Sequence, residues 1–181
     1  MVSCFESERV TLREFVEIDW IDVHSYASQE VVCQYQPWGP NSEEESEAFV
    51  RQVIEEAKRV SRSRFVFAVT VKETGKMIGA GELNIRDVSN KAGEIGYILN
   101  RDYWGKGYAT EVAKLLIEFG FKVLDLHRIY ATCDPRNVKS TKVLEKVGMT
   151  WEGRMREDLL LKDGWRDSLL YSILINEWDE Q

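Results

Sequence analysis

Trp104-Gly105-Lys106-Gly107-Tyr108-Ala109 constrains this chain more than any other stretch. It joins a strand-like run, Glu94-Ile95-Gly96-Tyr97-Ile98-Leu99, to a strongly amphipathic helix that starts near Tyr108. A strand that passes through a glycine-rich turn into a helix N-terminus is a device for holding an anionic group. The glycines let the backbone approach closely, and the free N–H groups of the first helical turn point at the ligand with the dipole behind them. Two familiar phosphate loops are excluded. The dinucleotide fingerprint needs a third Gly or Ala where Thr110 stands. Asp125, at the right distance for a ribose-binding acid, falls before the next strand and not at a strand's end. The P-loop needs Ser or Thr directly after Gly-Lys, and Lys106 is followed by Gly107.

The elements around this turn alternate in kind. Arg9 to Arg13 alternates polar with apolar and reads as a strand. Asp19 opens a helix with Trp20, Val23 and Tyr26 on its inner face, and a short helical piece near Gln29 to Tyr35 is broken by Pro37 and Pro40. Ser42-Glu43-Glu44-Glu45 is a capping box, behind which Phe49, Val50, Val53, Ile54, Ala57 and Val60 recur at helical spacing. Strands are expected over 64–72, 77–85 and 92–100, with turns at 73–76 and 87–91. Past the glycine turn, Ala109, Val112, Ala113, Leu116, Phe119, Gly120 and Val123 share one helix face. Gly120 inside that helix implies close packing against the sheet. A strand over Ile129 to Cys133 leads to Asn137, the expected N-cap of a helix carrying Val143, Leu144 and Val147 and ended by Gly148. Two closing strands, Met155 to Leu161 and Ser168 to Ile175, are joined through Asp163-Gly164. Strands that first meander and later alternate with helices give one mixed α/β domain over 1–181, and 181 residues are too few for two ordinary domains.

Charge and cysteine usage narrow the function. A net charge of −7 argues against direct nucleic-acid binding and mildly favours a cationic acceptor such as an amine. No apolar run approaches membrane-spanning length, and Met1 to Trp20 alternates charged with apolar residues, unlike a signal peptide; a cytoplasmic protein is expected. Cys4, Cys33 and Cys133 have no paired spacing and, with two histidines, make no metal site; they read as small hydrophobes.

The turn resembles the acyl-CoA pyrophosphate loop of the Gcn5-related N-acetyltransferase (GNAT) superfamily. That family's pattern, Gln/Arg-x-x-Gly-x-Gly/Ala, maps onto Trp104-x-x-Gly107-x-Ala109, with Trp104 departing from the usual first residue. Tyr-Trp-Gly-Lys-Gly-Tyr-Ala-Thr resembles the RimJ/RimL branch, which acetylates ribosomal-protein N-termini. The likeness runs from about Ser7 to Trp178. It implies a central, mostly antiparallel twisted sheet with a splayed parallel strand pair and flanking helices. It further implies acetyl-CoA as co-substrate, its pantetheine arm laid along the backbone of Tyr97-Ile98-Leu99 as an added strand. The pyrophosphate would meet the N–H groups of Gly105, Lys106, Gly107, Tyr108, Ala109 and Thr110. Asn137 would both cap its helix and bond the pantetheine arm. Ser140, one turn on, is the implied acid that returns a proton to the CoA thiolate, since the tyrosine many relatives place near Leu144 is missing.

A general base must take the proton of the acceptor ammonium, directly or through water. Glu94 is the first candidate and Glu82 the second. The branch's own base position is Leu159 here, with Glu157 and Asp158 just before it. Attack of the amine on the thioester is expected to be direct. Cys133 lacks the adjacent base that a nucleophile wants, since His127 and Arg128 lie at the far end of its strand. The N–H of Ile98 or Leu99 is placed to polarise the thioester oxygen. Trp38, braced by Pro37 and Pro40, either lines the acceptor pocket or anchors its loop. The resemblance therefore implies acetyl transfer to a primary amine, a protein N-terminal α-amino group first. A polyamine or antibiotic acetyltransferase and a non-catalytic acyl-CoA-binding module remain as alternatives, and a homodimer is compatible with all three.

Overall fold

The computed structural model describes residues 5–179, so Cys4 lies outside the described residues. The first strands are β1 (Phe5–Glu6) and β2 (Val10–Arg13), followed by helices α1 (Trp20–Ala27), α2 (Glu30–Cys33) and α3 (Glu43–Ala57). A meander of β3 (Arg64–Val71), β4 (Met77–Asp87) and β5 (Ala92–Leu99) comes next. Helix α4 (Tyr108–Lys122), β6 (Arg128–Cys133) and α5 (Val138–Lys146) then alternate, and β7 (Thr150–Leu161), β8 (Gly164–Leu174) and α6 (Ile175–Asp179) close the chain. The strands form one eight-stranded sheet in the order β1-β2-β3-β4-β5-β6-β8-β7. All neighbours are antiparallel except β5 and β6, so the mixed α/β fold expected from the sequence is the fold observed.

Helices cover both faces of the sheet. On one face Phe119 of α4 meets Phe5, Phe65 and Phe67 edge-on, each with ring centroids 5.2 Å away. Phe67 and Phe119, both fully buried, each contribute about 1.5–3 kcal/mol by leaving water. Gly120 carries out the role expected of it. A Cβ there would stand 2.5 Å from Ile129 Cδ1 and 2.9 Å from Leu83 Cδ1, so only glycine lets α4 lie this close to the sheet. The opposite face is covered by α1 and α3, whose Val23, Tyr26, Val50 and Val53 pack on Val66 and Ala80. The Ser42–Glu45 capping box forms as the sequence indicates, with Ser42 Oγ accepting from Glu45 N–H and Glu45 Oε2 from Ser42 N–H.

Three expectations fail for identifiable reasons. Val60 is fully exposed, because α3 stops at Ala57 and Arg62 reaches back to the Ala57 carbonyl to turn the chain into β3. Val123 caps α4 and is 52% exposed; Leu126, past the turn at Asp125, takes the buried place. Strand β7 starts earlier than expected, at Thr150, and carries a bulge between Met155 and Leu159 that the alternation pattern hides. The short β1 and α6 have too few residues to show a period and were not expected.

Candidate active site

The parallel pair β5–β6 is hydrogen-bonded only over Ala92↔Arg128, Gly93↔Ile129 and Glu94↔Tyr130. Beyond Glu94 the strands diverge, and among the described residues the β6-facing backbone edge of Ile95 to Leu99 has no neighbouring strand. A cavity of about 1200 Å³ opens in this wedge and runs to both faces of the sheet. That exceeds the size usual for a single small ligand and suits two substrates meeting.

The glycine turn closes one end of the wedge. Gly107 is the N-cap of α4 at φ +87°, a left-handed conformation that side chains resist. Among the described residues no acceptor is found for the N–H groups of Gly105 through Ala109, whereas the Thr110 N–H is already spent on the Gly107 carbonyl at 3.1 Å. Thr110 therefore lines the cavity without a free backbone donor. The Lys106 side chain turns away, with Nζ on the Asp102 carbonyl at 2.8 Å, leaving only its N–H to the site. Trp104, the departure from the family pattern, has a visible task. Its indole Nε1 donates to the Leu99 carbonyl at 2.8 Å, tying the turn to the end of β5, and Lys139 of α5 stacks over its ring at 4.8 Å. The sequence did not reveal that tie, nor the row Lys139, Lys142 and Lys146 that lines the same end of the cavity.

Residues expected to act on the thiol converge. Asn137 caps α5, its Oδ1 accepting from Ser140 N–H at 3.2 Å, which leaves its NH2 group unspent at the cavity wall. Ser140 Oγ lies 3.2 Å from the Tyr97 hydroxyl, so each can share a proton with the other. Burial pushes the Tyr97 hydroxyl above its ordinary range despite the opposing hydrogen bond with Ser140. Tyr97 was expected to serve through its backbone; its side chain is an addition that only the fold supplies. Burial likewise pushes the Cys133 thiol up to about 11, so it is a thiol and not a nucleophilic thiolate at neutral pH.

The opposite face of the wedge is lined by side chains. Glu82 and Glu94 both adjoin the cavity, on the same face of β4 and β5 as Gly96. Each is engaged by an arginine: Glu82 Oε2 accepts from Arg64 Nη2 at 2.9 Å and Nε at 3.1 Å, and Glu94 Oε2 accepts from Arg86 Nε at 2.8 Å. The second Glu94 oxygen has only the Thr132 hydroxyl at 3.4 Å. Leu159 lines the cavity, while the bulge in β7 leaves Glu157 and Asp158 exposed and away from it. Trp38, at the cavity rim, is 36% exposed. Its loop is pinned by Lys162, whose Nζ donates to the Gly39 carbonyl, and by Arg166, whose Nη1 donates to the Tyr35 carbonyl at 3.2 Å. Trp38 thus sits at the cavity rim on a loop that Lys162 and Arg166 hold in place.

Residues 9–150 match the family described as an acetyltransferase (GNAT) domain. The chain belongs to the GNAT acetyltransferases. Its activity is accordingly N-acetyl transfer of the GNAT kind, with acetyl-CoA as donor. The acetyltransferase is 35% identical over 173 residues to the uncharacterized N-acetyltransferase YnaD of Bacillus subtilis, covering 96% of this chain and 98% of that protein. It is 31% identical to the spermidine N(1)-acetyltransferase of Escherichia coli strain K12, over 93% of this chain and 88% of the relative. Among solved structures, the ribosomal-protein-S5-alanine acetyltransferase of Vibrio fischeri superimposes with a TM-score of 0.80 at 30% identity, covering 98% of this chain and 99% of that one.

Proposed function

We propose that this acetyltransferase modifies the α-amino group at a protein N-terminus, the amine attacking the donor directly with both substrates bound. One observation carries the reading: a single cavity joins the free β5 edge and glycine turn to a wall where each lining carboxylate is matched by an arginine. Glu82 faces Arg64, Glu94 faces Arg86 and Asp134 faces Arg136. A polyamine carries several positive charges and wants uncompensated carboxylates; this wall offers a peptide backbone polar partners and an apolar rim instead.

Bound acetyl-CoA supplies the acetyl group as an activated thioester. Tyr97, Ile98 and Leu99 offer the extended edge that would hold its pantetheine arm, with Asn137 opposite. The N–H groups of Gly105, Lys106, Gly107, Tyr108 and Ala109 would take the pyrophosphate, and Lys139, Lys142 and Lys146 stand ready for a further phosphate. Glu94, through its less occupied oxygen, takes the ammonium proton directly or through one water, with Glu82 behind it. Ser140, supplied by Tyr97, holds the proton that the departing thiolate needs. The free buried thiols of Cys33 and Cys133 fit a reducing compartment such as the cytoplasm.

Release of CoA thiol, measured against N-terminal peptides, spermidine and an aminoglycoside, tests the proposal. Turnover on peptides above the other acceptors is expected. Turnover confined to spermidine would replace the acceptor, as the likeness to the spermidine enzyme allows. Donor binding with no turnover on any amine would leave a non-catalytic acyl-CoA-binding module.

A further inference from the structure

Arg166 is the one cavity-lining arginine of the acceptor wall that the described residues leave without an ion pair. It lies in β8 opposite Leu159 of the bulged strand, just past the end of β6, where Cys133 pairs with Leu169. Its guanidinium carries five N–H groups. Nη1 donates to the Tyr35 carbonyl at 3.2 Å and Nη2 to Ser168 Oγ at 3.0 Å, bonds that fix the group without neutralising it. Nε is buried and has no hydrogen-bond partner among the described residues. Asp134 feels the Arg166 charge, yet both of its oxygens are held by Arg136 at 2.9 and 2.7 Å. A cation partly withdrawn from water, held rigidly and left with spare donors, is stabilised far more by an anion than by a neutral group. The other charges on the wall are already matched, so that anion must arrive with a ligand.

We propose that Arg166 receives a carboxylate carried by the acceptor, making the preferred substrates peptides whose first residue is acidic. This rests on the N-terminal acetylation reading above and narrows it. The two ends of such a substrate find opposite chemistry in one cavity: its α-amino group meets the Glu94 and Glu82 side, and its carboxylate meets Arg166 beneath the Trp38 loop. Free glutamate presents the same pair of groups, and the experiment separates the two sources.

The test compares kcat/KM for peptides differing only in the first residue, Glu, Asp, Ser or Ala, and for free glutamate. Wild type, Arg166→Gln and Arg166→Lys are assayed at saturating acetyl-CoA. The wild type should favour Glu or Asp over Ala by roughly tenfold or more, as a site built to bond a polar group discriminates against its absence. In Arg166→Gln the ratio should fall close to one, with Arg166→Lys between. Should Arg166→Gln not fold, the wild-type ratio and the lysine variant decide. A ratio near one in the wild type, or a preference that survives Arg166→Gln, overturns the assignment while peptide acetylation itself stands. Better turnover of free glutamate than of any peptide keeps the carboxylate and overturns the peptide as its source. Peptides left untouched while spermidine is acetylated would overturn both readings together.

Discussion

The two halves of the cavity are made of different materials. The proposed donor half is backbone: a strand edge without a neighbour among the described residues, a helix N-terminus and a left-handed Gly107. The proposed acceptor half is side chain, three arginine–carboxylate pairs and one unmatched arginine, carried on β3, β4, β5 and β8 and on the loop after β6. Backbone recognition fixes one ligand and tolerates few substitutions. Side-chain recognition can be rewritten one residue at a time, which is how one fold serves relatives named for a ribosomal protein and for spermidine.

The sharpest break in this contrast comes from the acceptor side. Glu94→Gln removes the proposed base while leaving the Arg86 contact largely in place, and should lower kcat by roughly a hundredfold or more, with KM for acetyl-CoA little changed. A kcat within a few-fold of wild type would point to Glu82 or a water chain. On the donor side, Gly107→Val forces a β-branched residue to positive φ and drives a Cβ to 3.0 Å from Arg9 Nη2. Acetyl-CoA affinity measured by calorimetry should fall about tenfold to a hundredfold while the circular dichroism spectrum is retained. Ser140→Ala should lower kcat about tenfold to thirtyfold, because the Tyr97 hydroxyl stays beside the vacated place. Tyr97→Phe should then act weakly alone and strongly in combination, and strict additivity of the two would show that they are not one proton-sharing unit.

Two stability predictions are smaller. Arg136 holds the Asp134 carboxyl below the usual range, outweighing the burial that would raise it. Its contribution is thus fully present above the unfolded value of about 4 and is lost as pH falls through the lower folded value. Asp134→Asn should cost about 1–3 kcal/mol at pH 7, and the gap from wild type should shrink in denaturant titrations as pH falls below the unfolded value of about 4. Ser42→Ala removes an exposed N-cap and should cost about 1 kcal/mol, a Tm decrease of roughly 2–4 °C by calorimetry.

The same contrast explains what could be read from the sequence. The glycine turn, the Ser42 capping box, the Asn137 cap and the close approach at Gly120 are local or depend on one residue's geometry, so motif and period reveal them. Tyr97 and Ser140 are 43 positions apart, and Arg166 and Tyr35 are 131 apart; no spacing rule connects them until the sheet order is known. Trp104 stood out only as a misfit to a pattern, and its bond to the Leu99 carbonyl turns the misfit into a strut. Glu157 and Asp158 were near the right place in the chain, yet a bulge sends them outward.

Hydrogen exchange with and without acetyl-CoA tests the central claim most directly, because it reads the backbone that is said to bind the donor. Protection should rise at amides of Ile95 to Leu99 and of Gly105 to Ala109, with little change on the Trp38 loop or around Arg166. Unaltered exchange along β5 and the glycine turn, with protection gained elsewhere, would contradict the account.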